Sequence, residues 1–322
     1  MARKSKRVGG LAALIIVVAL ALSGWLGQPE PAGTDVTASA NTNASASSAS
    51  NAEAASGEIV AHFIDVGQGD SEFVELPDGK CLLIDGGVPD AGATVVSYIQ
   101  SLGYTKIDYL VASHPHEDHI GGLLDVLDTF EIGEVWAPDV SANTQTYEDF
   151  LDKVEASGAS THEAKAGETI ASGDDYTVEV LGPVPDSTAG SDWEDSDSDY
   201  INNRSAIIRI TFGDKTFLFT GDACTDRIAE ACSQHVDVLK AGHHGSKTST
   251  NAWLLKKITP NIAVLSYGLD NDYGYPKQKV LDALSDFGVE TYGTGANGTV
   301  TIACDGSTFS VSCEKSAAVT AP

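Results

Sequence analysis

The chain has 322 residues, of which 42% are hydrophobic, so it is long enough for one large domain or two ordinary ones with a sizeable core. Residues 1–57 hold four basic and three acidic residues, which leaves 15 Lys and Arg against 43 Asp and Glu in residues 58–322, a formal charge of −28. So acidic a domain argues against a protein whose main task is to grip long nucleic acids through their phosphates.

The N-terminus combines positive charge with an apolar run. Four Lys and Arg residues within MARKSKRVGG precede LAALIIVVALALSGWLG, which ends at Gly27. This pattern predicts a signal peptide or an N-terminal membrane anchor at residues 1–27, and both readings stay open. We therefore expect an extracytoplasmic protein, either secreted or anchored to the cell membrane by this segment.

Residues 28–57 are rich in Ala, Ser and Asn and contain no large side chains. Such a segment cannot bury enough apolar surface to offset the entropy of ordering it, so the sequence predicts a disordered linker. The folded domain should then cover residues 58–322.

The rest of the chain alternates strand-like runs with helical patterns. ATVVSYIQSLG, residues 93–103, is one of the predicted helices, and LPDGK, residues 76–80, is a predicted hairpin turn. The first strand-like runs are IVAHFIDV, SEFVEL, CLLIDGG and IDYLVASH. Sheets covered by helices are expected from this order, in an α/β or α+β sandwich.

The five cysteines are compatible with export. Cys304 and Cys313 flank a predicted hairpin with an Asp305-Gly306 turn, so we expect either a cross-strand disulfide or two free thiols. Cys224 and Cys232 lie eight residues apart in a predicted helix, about 12 Å along its axis, which is too far for a disulfide.

HPHEDH, residues 114–119, is the most informative motif, because it holds three of the eight histidines. It follows an apolar strand and precedes a helix that we predict to begin at Ile120. Alternate residues of an extended segment point the same way, so His114 and His116 can share one metal ion. Asp118 and His119 then face a second position nearby.

HPHEDH matches the HxHxDH signature, and the chain resembles the metallo-β-lactamase fold family from residue 58 to about residue 314. IDGG with Asp85, FTGD with Asp222 and KAGHHGS with His243 follow in the family's order. The resemblance implies an α+β fold, an αββα sandwich with its metals at one edge. It also implies that Asp85 supports the metal loop by hydrogen bonding.

The resemblance further implies two divalent metal ions, Zn or Mn. Asp222 would bridge them and act with Asp118 and His244 in catalysis. His243 is the preferred ligand because it comes first after its strand, although the roles of His243 and His244 could be exchanged. The implied metal ligands are His114, His116, Asp118, His119, Asp222 and His243.

The chain departs from the family where many members place another histidine, since the segment reads DYINNRSAIIRI. Asn202 or Asn203 is expected to line the pocket there. With FIDVGQGDS, residues 63–71, this segment resembles the hydrolase domain of ComEC-type competence proteins, and Gln68 or Asp70 should lie near the metals.

A phosphodiester substrate is implied by this resemblance, in extracellular nucleic acid, a surface polymer or a lipid headgroup. Two metals with a bridging hydroxide suit attack at phosphorus, because they stabilise the attacking and leaving oxygens together. Ser246 and Lys247 would either contact the phosphate or serve as a helix cap and a solvated lysine.

We therefore expect an exported dinuclear phosphodiesterase or nuclease with no stable protein partner. The alternatives are a β-lactam or lactone hydrolase of the same fold and a non-catalytic binding module on a degenerate metal site. The acidic run at residues 186–200, which includes Trp193, is expected to be a calcium site or a solvated loop.

Overall fold

The computed structural model describes residues 57–185 and 198–322. Within them the chain forms fifteen strands: β1 Ile59–Phe63, β2 Glu72–Glu75, β3 Cys81–Ile84, β4 Lys106–Val111, β5 Glu131–Ala137, β6 Ser160–Glu163, β7 Thr169–Ser172, β8 Tyr176–Gly182, β9 Ile207–Phe212, β10 Lys215–Phe219, β11 Val238–Lys240, β12 Ile262–Leu265, β13 Glu290–Gly293, β14 Val300–Cys304 and β15 Phe309–Cys313.

Nine α-helices connect these strands in the described residues. They are α1 Gly92–Ser101, α2 Glu117–Ile120, α3 Leu123–Thr129, α4 Gln145–Ser157, α5 Ser198–Asn202, α6 Thr225–Ala231, α7 Ala252–Ile258, α8 Gln278–Asp286 and α9 Thr294–Asn297.

The strands form two mixed sheets. The first has eight strands in the order β15-β14-β1-β2-β3-β4-β5-β6, and the second has seven in the order β13-β12-β11-β10-β9-β8-β7. Strands β3 to β6 run parallel to one another, as do β10 to β13. The hairpins, β2–β3 among them, supply the antiparallel pairs.

Three apolar clusters define four layers. One cluster lies between the sheets and includes Phe63 and Phe219, whose rings stack with centroids 5.9 Å apart. A second joins the first sheet to α1, α3 and α4, and a third joins the second sheet to α6, α7 and α8. The predicted αββα sandwich is confirmed.

The strands bury both faces, as the apolar runs in the sequence require. Val74 and Leu82 enter the cluster between the sheets, while their neighbours Phe73 and Leu83 enter the cluster under the helices. Consecutive residues of a strand point to opposite faces of its sheet, so an uninterrupted apolar run serves two layers at once.

The parallel strands place several loops at one end of the sandwich. Strand β3 leads into Asp85, β4 into His114, β10 into Asp222 and β11 into His243. Parallel neighbours end at the same edge, where ligands of open α/β sheets bind. Four motifs that lie far apart in the sequence therefore meet.

The helix predicted from Ile120 was placed too late. Helix α2 begins at Glu117 and ends at Ile120, and α3 follows from Leu123. The break allows a close backbone contact, because a Cβ at Gly122 would lie 2.0 Å from the carbonyl oxygen of Gly86. Asp118 and His119 thus lie inside a short helix.

Of the two alternatives for Cys304 and Cys313, the disulfide is wrong and the free thiols are confirmed. In the β14–β15 hairpin Cys304 lies opposite Phe309, and Cys313 lies opposite Val300. The two cysteines stand at opposite ends of the paired strands, and both thiols are free. The turn next to Cys304 sets this register.

Three sequence-based predictions lie wholly or largely outside the described residues: the N-terminal segment 1–27, the linker 28–57 apart from its last residue, and positions 186–197 of the acidic run. Among the described helices, none has the length and apolar character needed to cross a membrane.

The cluster between the sheets should dominate stability. Phe217 is fully buried there, and its ring meets that of Phe309 edge to face, with centroids 5.6 Å apart. We expect Phe217→Ala to lower the free energy of unfolding by about 3–5 kcal/mol, because it leaves a cavity between the layers. Phe287→Ala is the matched control, since Phe287 is 42% exposed, and it should cost less than about 1 kcal/mol. Urea titrations would measure both, and equal losses would contradict this account of the core.

Candidate metal centre

Asp85 fixes the loop that carries the histidine motif. It follows β3 in the left-handed conformation, with φ 57°. Its Oδ1 accepts a hydrogen bond from the backbone N–H of Ser113 at 2.7 Å, and its Oδ2 accepts one from the Ser113 hydroxyl at 2.6 Å. His119 Nδ1 lies 2.8 Å from the same Oδ2. One buried carboxylate therefore ties the end of β4 to helix α2.

These bonds also fix which ring nitrogens face the centre. An ionised carboxylate only accepts, so Asp85 requires a proton on His119 Nδ1 and leaves Nε2 directed elsewhere. The Ser113 hydroxyl donates to Asp85 and therefore accepts from His114 Nδ1, which lies 3.0 Å away. Both histidines are thus oriented to bind a metal through Nε2.

His114 and His116 come together as their spacing predicts. His114 Nε2 lies 3.0 Å from His116 Nδ1, close to the roughly 3.3 Å between two nitrogens on one tetrahedral zinc ion. His114 is fully buried, whereas His116 is half-buried. The pair can serve one ion.

Asp222 lies between the histidines of both motifs. It follows β10, and its backbone N–H donates to the Ser205 hydroxyl at 3.1 Å. Its Oδ1 is 3.4 Å from His119 Nε2 and its Oδ2 is 3.9 Å from His114 Nε2. Oδ2 is also 3.7 Å from His244 Nε2. A carboxylate in this position can be shared by two ions.

His243 and His244 occupy a tight turn in which both have positive φ, at 50° and 55°. Backbone strain of this kind collects at functional sites. The His244 side chain is 2% exposed and its Nε2 lies 3.2 Å from Asp118 Oδ2. The His243 side chain is 24% exposed, and its Nε2 lies 3.6 Å from Asp222 Oδ2. His244 is the inner histidine and His243 the outer one.

A buried ion pair lies behind His244. The ammonium of Lys240 contacts the carboxylate of Asp70, and both side chains are 1% exposed. His244 Nδ1 donates to the carbonyl of Ser266 at 3.0 Å and lies 3.0 Å from Asp70 Oδ1. The His244 ring is therefore held in place, again with Nε2 toward the centre.

Electrostatics in the cluster favour a bound cation. Burial alone would lower the pKa of His244, but the carboxylates of Asp222 and Asp70 outweigh it and raise that pKa to about 10. The pKa of His119 is also raised well above its usual value against burial, by Asp222 and Asp85. In the metal-free chain, protons on these imidazoles balance the buried carboxylates, and a divalent ion could replace them.

The donor atoms fit metal binding in a second respect. His119 Nε2, Asp222 Oδ1 and His244 Nε2 are buried and have no hydrogen-bond partner. Buried polar atoms are normally satisfied, so three unpartnered ligand atoms facing each other fit a bound cation. Four groups in the described residues have donor atoms within 4.8 Å of one another: His114–His119–Asp222, Asp118–His119–His244, Asp70–Asp85–His119 and Asp70–Asp222–His244.

The remaining predicted pocket residues act mainly on the backbone. Gln68 Oε1 accepts from the backbone N–H of Gly268 at 3.3 Å, and Asn203 Oδ1 accepts from that of Cys224 at 3.2 Å. Asn202 is buried at the end of α5, with its side-chain oxygen unpaired. The Ser246 hydroxyl accepts from the Thr248 N–H within a turn, so the predicted helix cap at Ser246 is wrong: the next helix, α7, is capped by Asn251. Lys247 is exposed.

Three residues of this centre were not predicted from the sequence. Ser113 precedes the motif and orients His114, and Lys240 pairs with Asp70. Tyr275 adjoins the turn, with its ring centroid 5.6 Å from that of His243. A lysine closing the buried run VDVLK was a usable signal, since buried lysines need a partner.

The family model of the metallo-beta-lactamase superfamily matches residues 64–269. The chain is 28% identical to ComE operon protein 3 of Bacillus subtilis over 268 residues, which cover 77% of this chain and 33% of that protein. It is 27% identical to Recombination protein 2 of Haemophilus influenzae over 246 residues, 74% of this chain and 28% of that protein. The chain thus spans about a third of the length of these relatives.

Among solved structures, the metallo-beta-lactamase fold protein YhfI from Bacillus subtilis is similar with a TM-score of 0.49 and 15% identity. The similarity covers 76% of this chain and all of YhfI.

Metal binding by this centre should strengthen as pH rises. His119 and His244 have raised pKa values, so they are protonated at neutral pH, and an ion that binds at Nε2 must displace those protons. We expect the zinc affinity to increase about tenfold per pH unit for each proton displaced between pH 6 and 8.

Competition with a chelator, corrected for the chelator's own protonation, would measure this pH dependence of the zinc affinity. His244→Ala should flatten the slope, whereas His235→Ala, at an exposed histidine outside the centre, should not. An affinity independent of pH would contradict the assignment.

The Lys240–Asp70 pair offers a matched test of the buried charge. Lys240→Met leaves the Asp70 carboxylate buried without its partner, so we expect a loss of about 3–5 kcal/mol in the free energy of unfolding. Lys315→Met breaks the exposed pair with Asp65, whose atoms lie 3.7 Å apart, and should cost less than about 1 kcal/mol. Urea unfolding in the presence of a chelator would separate these losses from metal binding. Similar small losses would show that the buried pair does not stabilise the loop.

Proposed function

Because the chain belongs to the metallo-β-lactamase superfamily, we propose that it is an exported dinuclear metal-dependent hydrolase that cleaves phosphodiesters. One observation carries the proposal: the Nε2 atoms of His114, His119 and His244 converge on the carboxylate of Asp222. The supporting hydrogen bonds are made by Nδ1 of each ring, which directs its Nε2 toward Asp222.

The donor set divides into two neighbouring positions that share Asp222. His114 and His116 would hold one ion, and Asp118 with His119 would hold part of the other. His244 completes the second position, because it is the inner histidine and its Nε2 faces Asp118. This choice follows the exchanged assignment of the two histidines, not the preferred one. Two Zn or Mn ions at these positions would lower the pKa of a water and neutralise charge that develops on the phosphoryl oxygens.

His243 is then free for the substrate. Its side chain is 24% exposed and its Nε2 is 3.6 Å from Asp222, so it borders the centre without being enclosed by it. Burial holds the pKa of His243 below its usual value, although Asp222 opposes the shift. Its neutral imidazole can therefore hydrogen-bond a substrate oxygen through Nε2. Asp222 keeps its negative charge, since the neighbouring His119 and His244 outweigh burial and hold its pKa well below the usual range.

The relatives favour a phosphodiester over a β-lactam or lactone. The names of these two relatives refer to the ComE operon and to recombination. These names support a nucleic-acid substrate. The formal charge of −28 in residues 58–322 favours short or locally bound substrates over long DNA held along its backbone.

The export part of the proposal depends on residues 1–27 alone. Positive charge before an apolar run directs a chain to the membrane, whether the segment is cleaved or retained. The protein would then act outside the cytoplasm. Fractionation of cells that express the full chain tests this, and recovery of the whole protein in the cytoplasm would contradict it.

Asp222→Ala should abolish hydrolysis, because it removes the carboxylate shared by the two positions. We expect a fall of at least about 10³-fold in the rate with bis-p-nitrophenyl phosphate in the presence of zinc or manganese. Asp226→Ala is the matched control, since Asp226 is exposed in the first turn of α6, and it should keep the wild-type rate. Circular dichroism would establish that both variants are folded.

Three results would contradict the proposal. An unchanged rate in Asp222→Ala would show that the shared carboxylate plays no part in turnover. Hydrolysis of nitrocefin in place of the phosphodiester by the wild-type chain would assign a β-lactam substrate. Less than one bound ion per chain, with no activity after zinc or manganese is added, would favour a non-catalytic module.

A further inference from the structure

The loop between β12 and α8 presents aromatic rings to solvent. Tyr273 is 60% exposed and its neighbour Leu269 is 63% exposed. The rings of Tyr273 and Tyr275 are stacked, with centroids 5.7 Å apart and an interplanar angle of 13°. The ammonium of Lys277 lies 5.0 Å from the centroid of the Tyr275 ring. We call Tyr273, Tyr275 and Lys277 the aromatic platform.

The platform adjoins the metal centre. The Tyr275 ring centroid lies 5.6 Å from that of His243 and 6.3 Å from that of His244. Any substituent on a phosphate held beside these histidines is therefore within reach of the tyrosines. Tyr273, on the outer side of the stack, offers the more exposed ring.

The loop is held in shape by hydrogen bonds. Asn271 Nδ2 donates to the carbonyl oxygens of Gly268 and Tyr275 at 2.6 and 2.8 Å, and Asn271 Oδ1 accepts from the Tyr275 N–H at 2.9 Å. The Gly268 N–H donates to Gln68, and the Lys277 N–H donates to Gly245 at 3.0 Å. The platform is thus tied to two loops of the metal centre, so its rings are preorganised.

Flat stacked rings next to a cation suit a planar group attached to an anion. Base stacking on an aromatic side chain contributes about 1–3 kcal/mol per base, and it needs no particular base sequence. Lys277 already lies over the Tyr275 face, so a second cation there would be repelled, which disfavours a quaternary ammonium headgroup. Asp270 and Asp272 are exposed in the same loop and disfavour a long polyanion.

We propose that Tyr273, Tyr275 and Lys277 form a subsite that binds the nucleobase next to the scissile phosphodiester. The subsite deepens the proposed function and rests on it. It assigns a nucleotide as the substrate class and makes Tyr273 a specificity-determining residue. Because the subsite binds by stacking, this acidic chain can bind a nucleotide without contacts along a phosphate backbone.

Three esters with the same p-nitrophenolate leaving group test the subsite: the p-nitrophenyl esters of thymidine 5′-monophosphate, methyl phosphate and phosphorylcholine. In each, a water oxygen bonds to phosphorus, the bond to p-nitrophenolate breaks, the water loses a proton to the solvent, and a phosphate monoester remains. The leaving group is constant, so only the other substituent distinguishes the three rates. The full-length chain, loaded with zinc or manganese, is used.

We expect Tyr273→Ala to raise KM for the thymidine ester about tenfold with little change in kcat. Its kcat/KM for the methyl ester should not change. Tyr273→Phe should behave as wild type, because it keeps the ring. Phe287→Ala is the matched control, because Phe287 is exposed and follows the C-terminal end of α8, about 15 Å from Lys277 along the helix axis.

The subsite is overturned if Tyr273→Ala changes the thymidine and methyl esters equally or changes neither. If Tyr273→Ala slows the hydrolysis of the phosphorylcholine ester alone, the subsite is also overturned, and a headgroup is assigned as its ligand instead.

Calorimetry with thymidine 5′-monophosphate and methyl phosphate separates this proposal from the proposed function. If the wild type hydrolyses none of the esters, the hydrolase proposal fails. The subsite still stands if thymidine 5′-monophosphate binds the wild type and binds Tyr273→Ala about tenfold more weakly. Equal affinities, or no binding to the wild type, overturn it.

Discussion

The centre depends on negative charge that the fold has removed from water. Asp70, Asp85 and Asp222 are buried within one cluster, and Asp118 borders it. Burying carboxylates is unfavourable unless positive charge lies within a few ångströms. Lys240 supplies one compensating charge from within the chain. The remaining positive charge must come from protonated imidazoles or from bound cations, and the orientation of the ring nitrogens favours bound cations.

The sandwich makes this concentration of charge possible. Parallel strands in both sheets end at one edge, so Asp85, His114, Asp222 and His244 arrive from four different strands. Hydrogen bonds from rigid elements then fix each ring, as Ser113 does for His114. The same edge carries the loop with Tyr273 and Tyr275, which is bound to the Gln68 loop and to the turn at Gly245. Metal ligands and aromatic platform thus share one support.

Local sequence patterns were enough to predict a sandwich of sheets and helices and to single out the motifs, because each depends on neighbours in the chain. The αββα order of the layers was implied by the resemblance to the family. Apolar runs specify buried strands, and HPHEDH places its donors by the two-residue period of extended backbone. Features that depend on packing between distant parts of the chain could not be predicted from the sequence. The hairpin register separates Cys304 from Cys313, Gly122 approaches Gly86 at the break between α2 and α3, and Lys240 pairs with a residue 170 positions away. Which of two adjacent histidines faces inward also depends on a turn whose φ angles no pattern specified.

The most direct test of the central claim is crystallography at the zinc absorption edge on the zinc-loaded chain. If two ions share Asp222, two anomalous peaks should appear about 3.5–4 Å apart, on either side of its carboxylate. One peak should contact His114 and the other His244. Absence of any peak at these imidazoles, or zinc bound only elsewhere on the chain, would contradict it.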